Sequence, residues 1–320
     1  MKRRIISLLA LVLVCVMALA SCGGATKLTM GTGGTGGTYN LFGGVISQYI
    51  KNGANVDCVA VSTDGSKANI LGISDGDYQL GTVQSDVMAY AWAGTNAFAE
   101  SGAVKNFRVI GGLYAEAVQL ITTNPSIQSV SDLAGKKVSI GAPNSGVYFN
   151  AIDVLSAVGL TENDIDAQYQ DFNSSAESLQ DGQIDAAFIV AGAPTIAVTE
   201  LMKKNSNARL VPIDGAVADA IMAACPYYAE YTIPAGTYST QTEAISTITV
   251  KATLIVSADL DENTVYNITK SIFDNATAIA VEHAKGHELS LENATSGMTA
   301  PFHKGAAKYF AEKGITVPTE

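Results

Sequence analysis

An α/β fold of two lobes is the class this sequence predicts, and three observations predict it. Short apolar runs alternate with segments of helical spacing along most of the chain, the pattern of a parallel sheet covered by helices. A strand, a glycine-bearing turn and a helix follow one another twice, over 28–50 and over 137–158. The chain has 320 residues and is 48% hydrophobic, enough for one large or two medium domains.

The first 22 residues stand apart from that fold. Lys2, Arg3 and Arg4 precede an apolar run over 5–20, and Leu19, Ala20 and Ser21 lead to Cys22, the layout of a secretory leader. The tetrad 19–22 resembles a lipobox. That resemblance implies a bacterial lipoprotein in which Cys22 carries the lipid and begins the mature chain. The run is short for a bilayer span, whereas several acyl chains on one cysteine anchor stably. Removing Lys2, Arg3 and Arg4 takes the formal charge from −11 to −14. An acidic chain with no basic run argues against nucleic acid and anionic lipid surfaces as partners. Cys58 and Cys225 remain, and two cysteines imply no disulfide framework. Two separate thiols are expected.

The segment 28–50 organises the rest. Leu28, Thr29 and Met30 read as a strand, and five of the nine residues 31–39 are glycine. Leu41, Phe42, Val45, Ile46, Tyr49 and Ile50 then fall at helical spacing. Glycine lets a ligand approach the backbone closely. A helix start offers unpaired N–H groups and partial positive charge. Together they predict an anion site without a basic side chain. Gly31, Gly33 and Gly36 match the dinucleotide fingerprint, which wants an acid at the end of the next strand. That strand, 57–61, carries Asp57 at its wrong end and runs into Ser62 and Thr63. Gly37 stands before Thr38 where a phosphate-binding P-loop needs lysine. The bland alternative is a turn that only packs a helix on a sheet.

Along the chain, helix 67–74 follows the loop 62–66, and strand 78–83 delivers Gln84, Ser85 and Asp86 to a helix over 87–93. Strands are expected at 107–113, 118–122, 137–140, 168–171 and 186–191. Between them lie a short helix at 129–135, the loop 141–146, and helices over 147–158 and 174–179. Pro194 suits the first turn of another helix. The stretch 226–242 reads as irregular, and 248–256 as a strong strand. Asp259 can cap a helix with Glu262 three residues on, and Val265, Ile268, Ile272, Ala276 and Ile279 form its apolar face. A last helix is expected over 302–313. In such folds ligands sit beyond the carboxyl ends of the strands, here the loops 31–39, 62–66 and 84–86.

Eight stretches then carry a resemblance. They are GTGGTGGTY at 31–39, AVSTDGS at 60–66, LGTVQSD at 80–86, GLYAEAVQ at 112–119, SDLAGKKVSIGAPNSG at 131–146, VAGAPTIAVTEL at 190–201, IPAGTY at 233–238 and HKGAAKYFAEKG at 303–314. In this order and spacing the chain resembles the TAXI-type solute receptors of the tripartite ATP-independent (TRAP) transporters. The resemblance covers residue 28 to the C-terminus. It implies a type II periplasmic-binding-protein fold with two α/β lobes, 23–115 plus 247–320 and 116–246, joined by a two-strand hinge. It implies an extracytoplasmic, monomeric receptor for a small carboxylate of the glutamate, glutamine or 2-oxoglutarate class, working with TRAP membrane subunits and no cofactor. Where that family usually has Gly-Ser-Gly-Thr, this chain has Asn144, Ser145, Gly146 and Val147, which removes one hydroxyl donor and adds an amide.

The expected binding residues follow. Backbone N–H groups from Gly33, Gly34, Thr35, Gly36 and Thr38 meet an anion on one lobe, and those of Ser145 and Gly146 meet it on the other. Asn144, Val147, Ser62 and Gly192 border the same space. Tyr39 and Tyr114 stack over the ligand, and Gln84 and Ser85 donate to an oxygen. Asp86 or Glu116 meets an ammonium group, the alternatives being a helix cap for Asp86 and an exposed hinge position for Glu116. Arg108, at the start of a strand, suits a surface role better than a ligand clamp. An enzyme is the main rival class. His283 and His287 are four apart, compatible with zinc, but no H-E-x-x-H motif is present and solvent-exposed histidines are expected. No G-x-S-x-G elbow surrounds Ser145. A sensor or surface antigen of the same fold, or a receptor for an ATP-driven importer, are the remaining alternatives.

Overall fold

The computed structural model describes residues 26–320; the leader and Cys22 lie outside the described residues. The fold is built on one mixed sheet of ten strands. Its path runs β2 (Val56–Val61), β1 (Thr26–Gly31), β3 (Leu80–Gln84), β10 (Ile245–Ser257), β4 (Phe107–Thr122), β7 (Ala186–Ala191), β5 (Lys137–Ser139) and β6 (Asp166–Gln168). Off this path β8 (Arg209–Val211) pairs with β4 and β9 (Ala229–Ile233) with β10. Pairing is parallel at each end of the sheet, where β1 lies between β2 and β3 and β5 between β6 and β7. In the middle it is antiparallel, because β10 runs against β3, β4 and β9, and β4 against β7 and β8. An all-parallel sheet is therefore corrected to two parallel ends joined through two long antiparallel strands.

Those two strands are the feature that sequence pattern misses. Residues 107–113 and 118–122 are one continuous strand of 16 residues. Tyr114, Ala115 and Glu116 interrupt the apolar run, yet Tyr114 and Glu116 are buried. The strand bends where its register against β10 shifts, at Ala252/Thr253 and Leu254/Ile255. Gly111 and Gly112 sit beside these shifts, and a Cβ on either would press on Phe273 or on the Asn293 carbonyl.

The helices cover both faces of this sheet. They are α1 (Thr38–Ala54), α2 (Ser66–Asp75), α3 (Ser85–Ala93), α4 (Gly146–Ala157), α5 (Phe172–Gln180), α6 (Ile196–Lys204), α7 (Gly215–Ala224), α8 (Glu262–Phe273), α9 (Ala276–Glu282), α10 (Leu291–Thr295) and α11 (Lys304–Glu312). Phe42, Ile46 and Ile50 bury the inner face of α1, and Asn55 ends it in a left-handed conformation, φ 53°.

Several expected boundaries shift for local reasons. Asp261, not Asp259, caps α8 by accepting from the Thr264 amide at 2.9 Å. The apolar face over 265–279 spans two helices, since the run breaks at Asp274 and Asn275. Pro194 precedes α6 by two residues, and Thr195 takes the cap position. The stretch 129–135 forms only a 3-10 turn, Val130–Leu133, with Ser129 and Asp132 as a capping box. The stretch 226–242 holds β9, and α7 lies in a region with no expected element. Cys58 and Cys225 are free thiols, as expected. Among the described residues no helix is long and apolar enough to cross a membrane.

Candidate functional site

The first glycine turn leaves β1 at Gly31 and enters α1 at Thr38. It is braced from outside. Thr32 donates its amide (3.0 Å) and its hydroxyl (2.6 Å) to the Val61 carbonyl. Ser62 Oγ donates to the Gly33 carbonyl at 3.0 Å, and Thr63 Oγ1 and Asn69 Nδ2 donate to the Thr32 carbonyl at 3.0 and 2.6 Å. Apart from the Thr32 amide, these bonds take carbonyls and leave amides. Gly37 is the N-cap of α1, and no side chain caps this helix. The Gly37 amide closes on the Gly34 carbonyl at 3.0 Å. Among the described residues no acceptor meets the amides of Gly33 and Gly34.

The second turn leaves β5 and enters α4 at Gly146. Gly141 bends it at φ +89°, a conformation that favours glycine. Here a side chain does the capping. Ser145 Oγ donates to the Ala142 carbonyl at 2.7 Å and accepts from the Tyr148 amide at 3.3 Å. The Ser145 amide also bonds Ala142, at 3.0 Å. Both donors of Ser145, expected to meet a ligand, serve the turn in this structure. Among the described residues no acceptor meets the amides of Gly146 and Val147, in the first turn of α4.

Both turns open on one cavity of about 260 Å³. Of the residues singled out from sequence, Gly33, Gly34, Thr38, Tyr39, Ser62, Gln84, Glu116, Ser145, Gly146 and Val147 line it. So do Gly37, Thr63, Asp64, Gly65 and Ser66, which lie in the expected ligand loops 31–39 and 62–66, and, opposite them, residues that sequence reasoning missed: Ala142, Gln170, Asp171, Phe172, Val190 and Ala191. The loop 62–66 was flagged by its place after a strand. Gln170 to Phe172 form the same kind of loop after β6, where Asp171 caps α5, and that position was the available signal. No Lys, Arg or His is among the lining residues.

Glu116 is the buried acid of this cavity and not an exposed hinge residue, at 2% exposure. Its Oε2 accepts from the Tyr39 hydroxyl at 2.7 Å. Burial pushes the Glu116 carboxyl well above its usual range and Asp86 adds to this, while the Tyr39 bond and Lys285 act against it. Tyr39 is thus tied to Glu116 and is not a free stacking platform.

The remaining expected residues hold the walls together or fill the core. Thr38 Oγ1 donates to the Gly192 carbonyl at 2.7 Å, a buried bond. The Gly36 carbonyl accepts from the Ala197 amide at 3.1 Å, and Thr35 Oγ1 accepts from Asn173 Nδ2 at 3.1 Å. The Asn144 carbonyl accepts from the Ala68 amide at 3.2 Å, and its side chain is exposed. Ser85 Oγ accepts from the Lys251 amide at 3.1 Å. Tyr114 is enclosed, its ring edge-on to Phe42 at 5.1 Å. Asp86 does not cap α3 but lies in its first turn, enclosed, with Oδ2 accepting from Asn150 at 2.8 Å. Thr35, Gly36, Ser85, Asp86, Tyr114, Asn144 and Gly192 therefore lie off the cavity lining. Gly146 joins both roles, for a Cβ there would fall on Gln84 Oε1.

Two other expectations resolve away from the cavity. Arg108 donates to the carbonyls of Lys105 and Phe107 at 2.9 and 2.8 Å and lies over the Trp92 ring. His283 is half-buried rather than exposed: its ring meets Phe42 edge-on at 5.2 Å, and Nδ1 accepts from the Lys285 amide at 3.1 Å. Burial and, after it, Lys285 keep its pKa below the usual value.

The family model of the NMT1-like family matches residues 30–314. Among solved structures, PhnD1 from Prochlorococcus marinus (MIT 9301), in complex with methylphosphonate, is 13% identical over 82% of this chain and 88% of its own, with a TM-score of 0.54. A Listeria monocytogenes protein assigned as an L-cystine ABC transporter is 16% identical over 83% and 98%, with a TM-score of 0.52. An ancestral arginine-binding protein bound to arginine is 12% identical over 83% and 97%, with a TM-score of 0.50. At such identities the likeness is one of fold.

Proposed function

This chain belongs to the NMT1-like family and has the type II periplasmic-binding-protein fold, and on that premise we propose that it is an extracytoplasmic receptor, not a catalyst, that captures a small carboxylate for a membrane transporter. One observation carries the carboxylate reading. Two helix starts, at Thr38 and Gly146, open on a single cavity lined by no basic side chain. Such a site neutralises an anion with backbone N–H groups and helix ends. Charge-assisted bonds of this kind contribute about 1.5–3 kcal/mol each. Helix-end attraction adds about 0.3–1 kcal/mol.

In this reading Gly33, Gly34, Thr38 and Tyr39 hold one side of the ligand and Gly146 and Val147 the other. Ser62, Gln84 and Glu116 border it. The lobes are 23–115 plus 247–320 and 116–246, hinged on β4 and β10. Ligand contacts on both lobes stabilise the state in which they meet. Lipid on Cys22 tethers the receptor. The eight motif stretches support a TRAP membrane subunit as partner, and a glutamate, glutamine or 2-oxoglutarate ligand. The likeness to the Listeria monocytogenes protein supports an ATP-driven importer instead. Uptake that survives ATP depletion but not loss of the ion gradients distinguishes the first partner from the second.

The ligand reading is tested by calorimetry with L-glutamate, L-glutamine and 2-oxoglutarate, against methylphosphonate and L-arginine. One of the three carboxylates is expected to bind stoichiometrically, without turnover. Binding of methylphosphonate alone, or of none of the carboxylates, overturns it.

A further inference from the structure

A chain of buried polar groups joins the two walls, starting at the cavity-lining Gln84 and running behind it. On one side stand Gln84, at the end of β3, and Asp86, in the first turn of α3. On the other stand Asn150 and Asp153, one turn apart on α4, and Tyr228 in the segment before β9. Asn150 is the hub. Its Oδ1 accepts from Gln84 Nε2 at 2.9 Å, and its Nδ2 donates to Asp86 Oδ2 at 2.8 Å and to the Tyr228 hydroxyl at 2.7 Å. The Tyr228 hydroxyl in turn donates to Asp153 Oδ2 at 2.8 Å.

The chain is incomplete in an informative way. Asp86 and Asn150 are 0% exposed. Among the described residues Asp86 Oδ1 has no hydrogen-bond partner, and neither has Gln84 Oε1. Two enclosed acceptors without a donor are costly. A carboxylate only accepts, whereas a protonated carboxyl supplies one O–H donor. A proton on Asp86 would turn its unmet acceptor into a donor.

We propose that this chain is a latch between the lobes that closes with uptake of one proton at Asp86, so that capture of ligand is favoured as pH falls and release as it rises. The proposal rests on the two-lobe reading, since it needs Gln84 and Asp86 to part from Asn150. Once apart, Asp86 meets water in the first turn of a helix, a position that favours the anion. Once together, it faces Asp153 from α4 and Glu116 from β4, both acidic, with Tyr90 on its own helix and Tyr228 and Cys225 across the seam. None of these is a cation. Loss of water is the largest influence and Asp153 adds to it, while the Val87 amide and Asn150 oppose. The carboxyl is pushed up to about 7.

The sign follows. The closed state binds a proton that the open state does not, from the ordinary aspartate value of about 4 up to about 7. Within that window closure weakens by up to about tenfold per pH unit as pH rises, and above it closure is independent of pH. Small-angle scattering of the unliganded full chain from pH 8 to pH 5 tests this without a ligand. The wild type is expected to grow more compact as pH falls, and Asp86→Asn, which keeps an acceptor for Asn150, to show no pH response. A flat wild-type profile, or an equal response in Asp86→Asn, overturns the latch. Asp153→Asn is the second variant, and its midpoint is expected to move to lower pH because a charge facing Asp86 is gone; an unmoved midpoint also overturns it. Calorimetry with L-glutamate then separates the two readings. An affinity that falls with pH in wild type alone supports both, whereas no binding beside a pH-dependent scattering profile leaves the latch standing and removes the glutamate ligand.

Discussion

The two turns that frame the cavity perform one task with opposite chemistry. The turn before α1 uses glycines, has no side-chain cap, and keeps its carbonyls occupied by Ser62, Thr63 and Asn69. The turn before α4 is capped by Ser145, which bonds Ala142 and Tyr148 and leaves two fewer donors for anything else. The first is built to offer amides and the second to hold a shape. Anion binding should therefore depend on backbone exposure in the first turn and on wall-to-wall fit in the second.

The largest effect is expected where fit is tightest. Gly146→Val puts branched carbon where Gln84 Oε1 now lies. Overpacking of this kind costs about 1–3 kcal/mol, which is roughly a five- to 150-fold loss of affinity. Because the strain arises only when the walls meet, L-glutamate calorimetry should register it while circular dichroism stays native. Gly34→Ala is the contrast, with nothing within 4 Å of the added carbon. An equal loss in both variants breaks the distinction between the turns.

A smaller and differently placed effect is expected from Ser145→Ala. The lost cap costs about 1 kcal/mol of stability, a fall of roughly 2 °C in Tm. Affinity should hardly change, because the serine's donors already serve the turn. A tenfold loss of affinity at unchanged Tm would return Ser145 to direct contact with the ligand.

This contrast also explains what the sequence could reveal. The glycine turn is legible because its signal is local: glycines, then helical spacing, within 20 residues. The alternation of strands and helices is legible for the same reason. The long strands β4 and β10 are not, because a buried Glu116 looks like a break in an apolar run until Tyr39, 77 positions away, is seen to bond it. Asp86 reads as a ligand contact or a helix cap for want of Asn150, 64 positions on. Gln170 to Phe172 escape notice because their place opposite the first turn is set by the pairing of β5 with β6 and β7, which no local pattern records. Residues whose role is fixed by their neighbours in sequence were readable, and those whose role is fixed across the cleft were not.

The smallest effect concerns the rim of the first turn. Thr35 was grouped with its glycine neighbours as a ligand donor, yet it is exposed, and its hydroxyl accepts from Asn173 at 3.1 Å on the facing wall. Replacing it by alanine removes one solvent-facing hydrogen bond, and water can satisfy Asn173 in its place. Surface substitutions of this kind stay within about 0.5 kcal/mol, so Thr35→Ala should bind L-glutamate within roughly twofold of wild type. A loss above tenfold would instead mean that the rim contact to Asn173 governs closure, and the division between an amide-offering turn and a fitted one would have to include a third, polar seam.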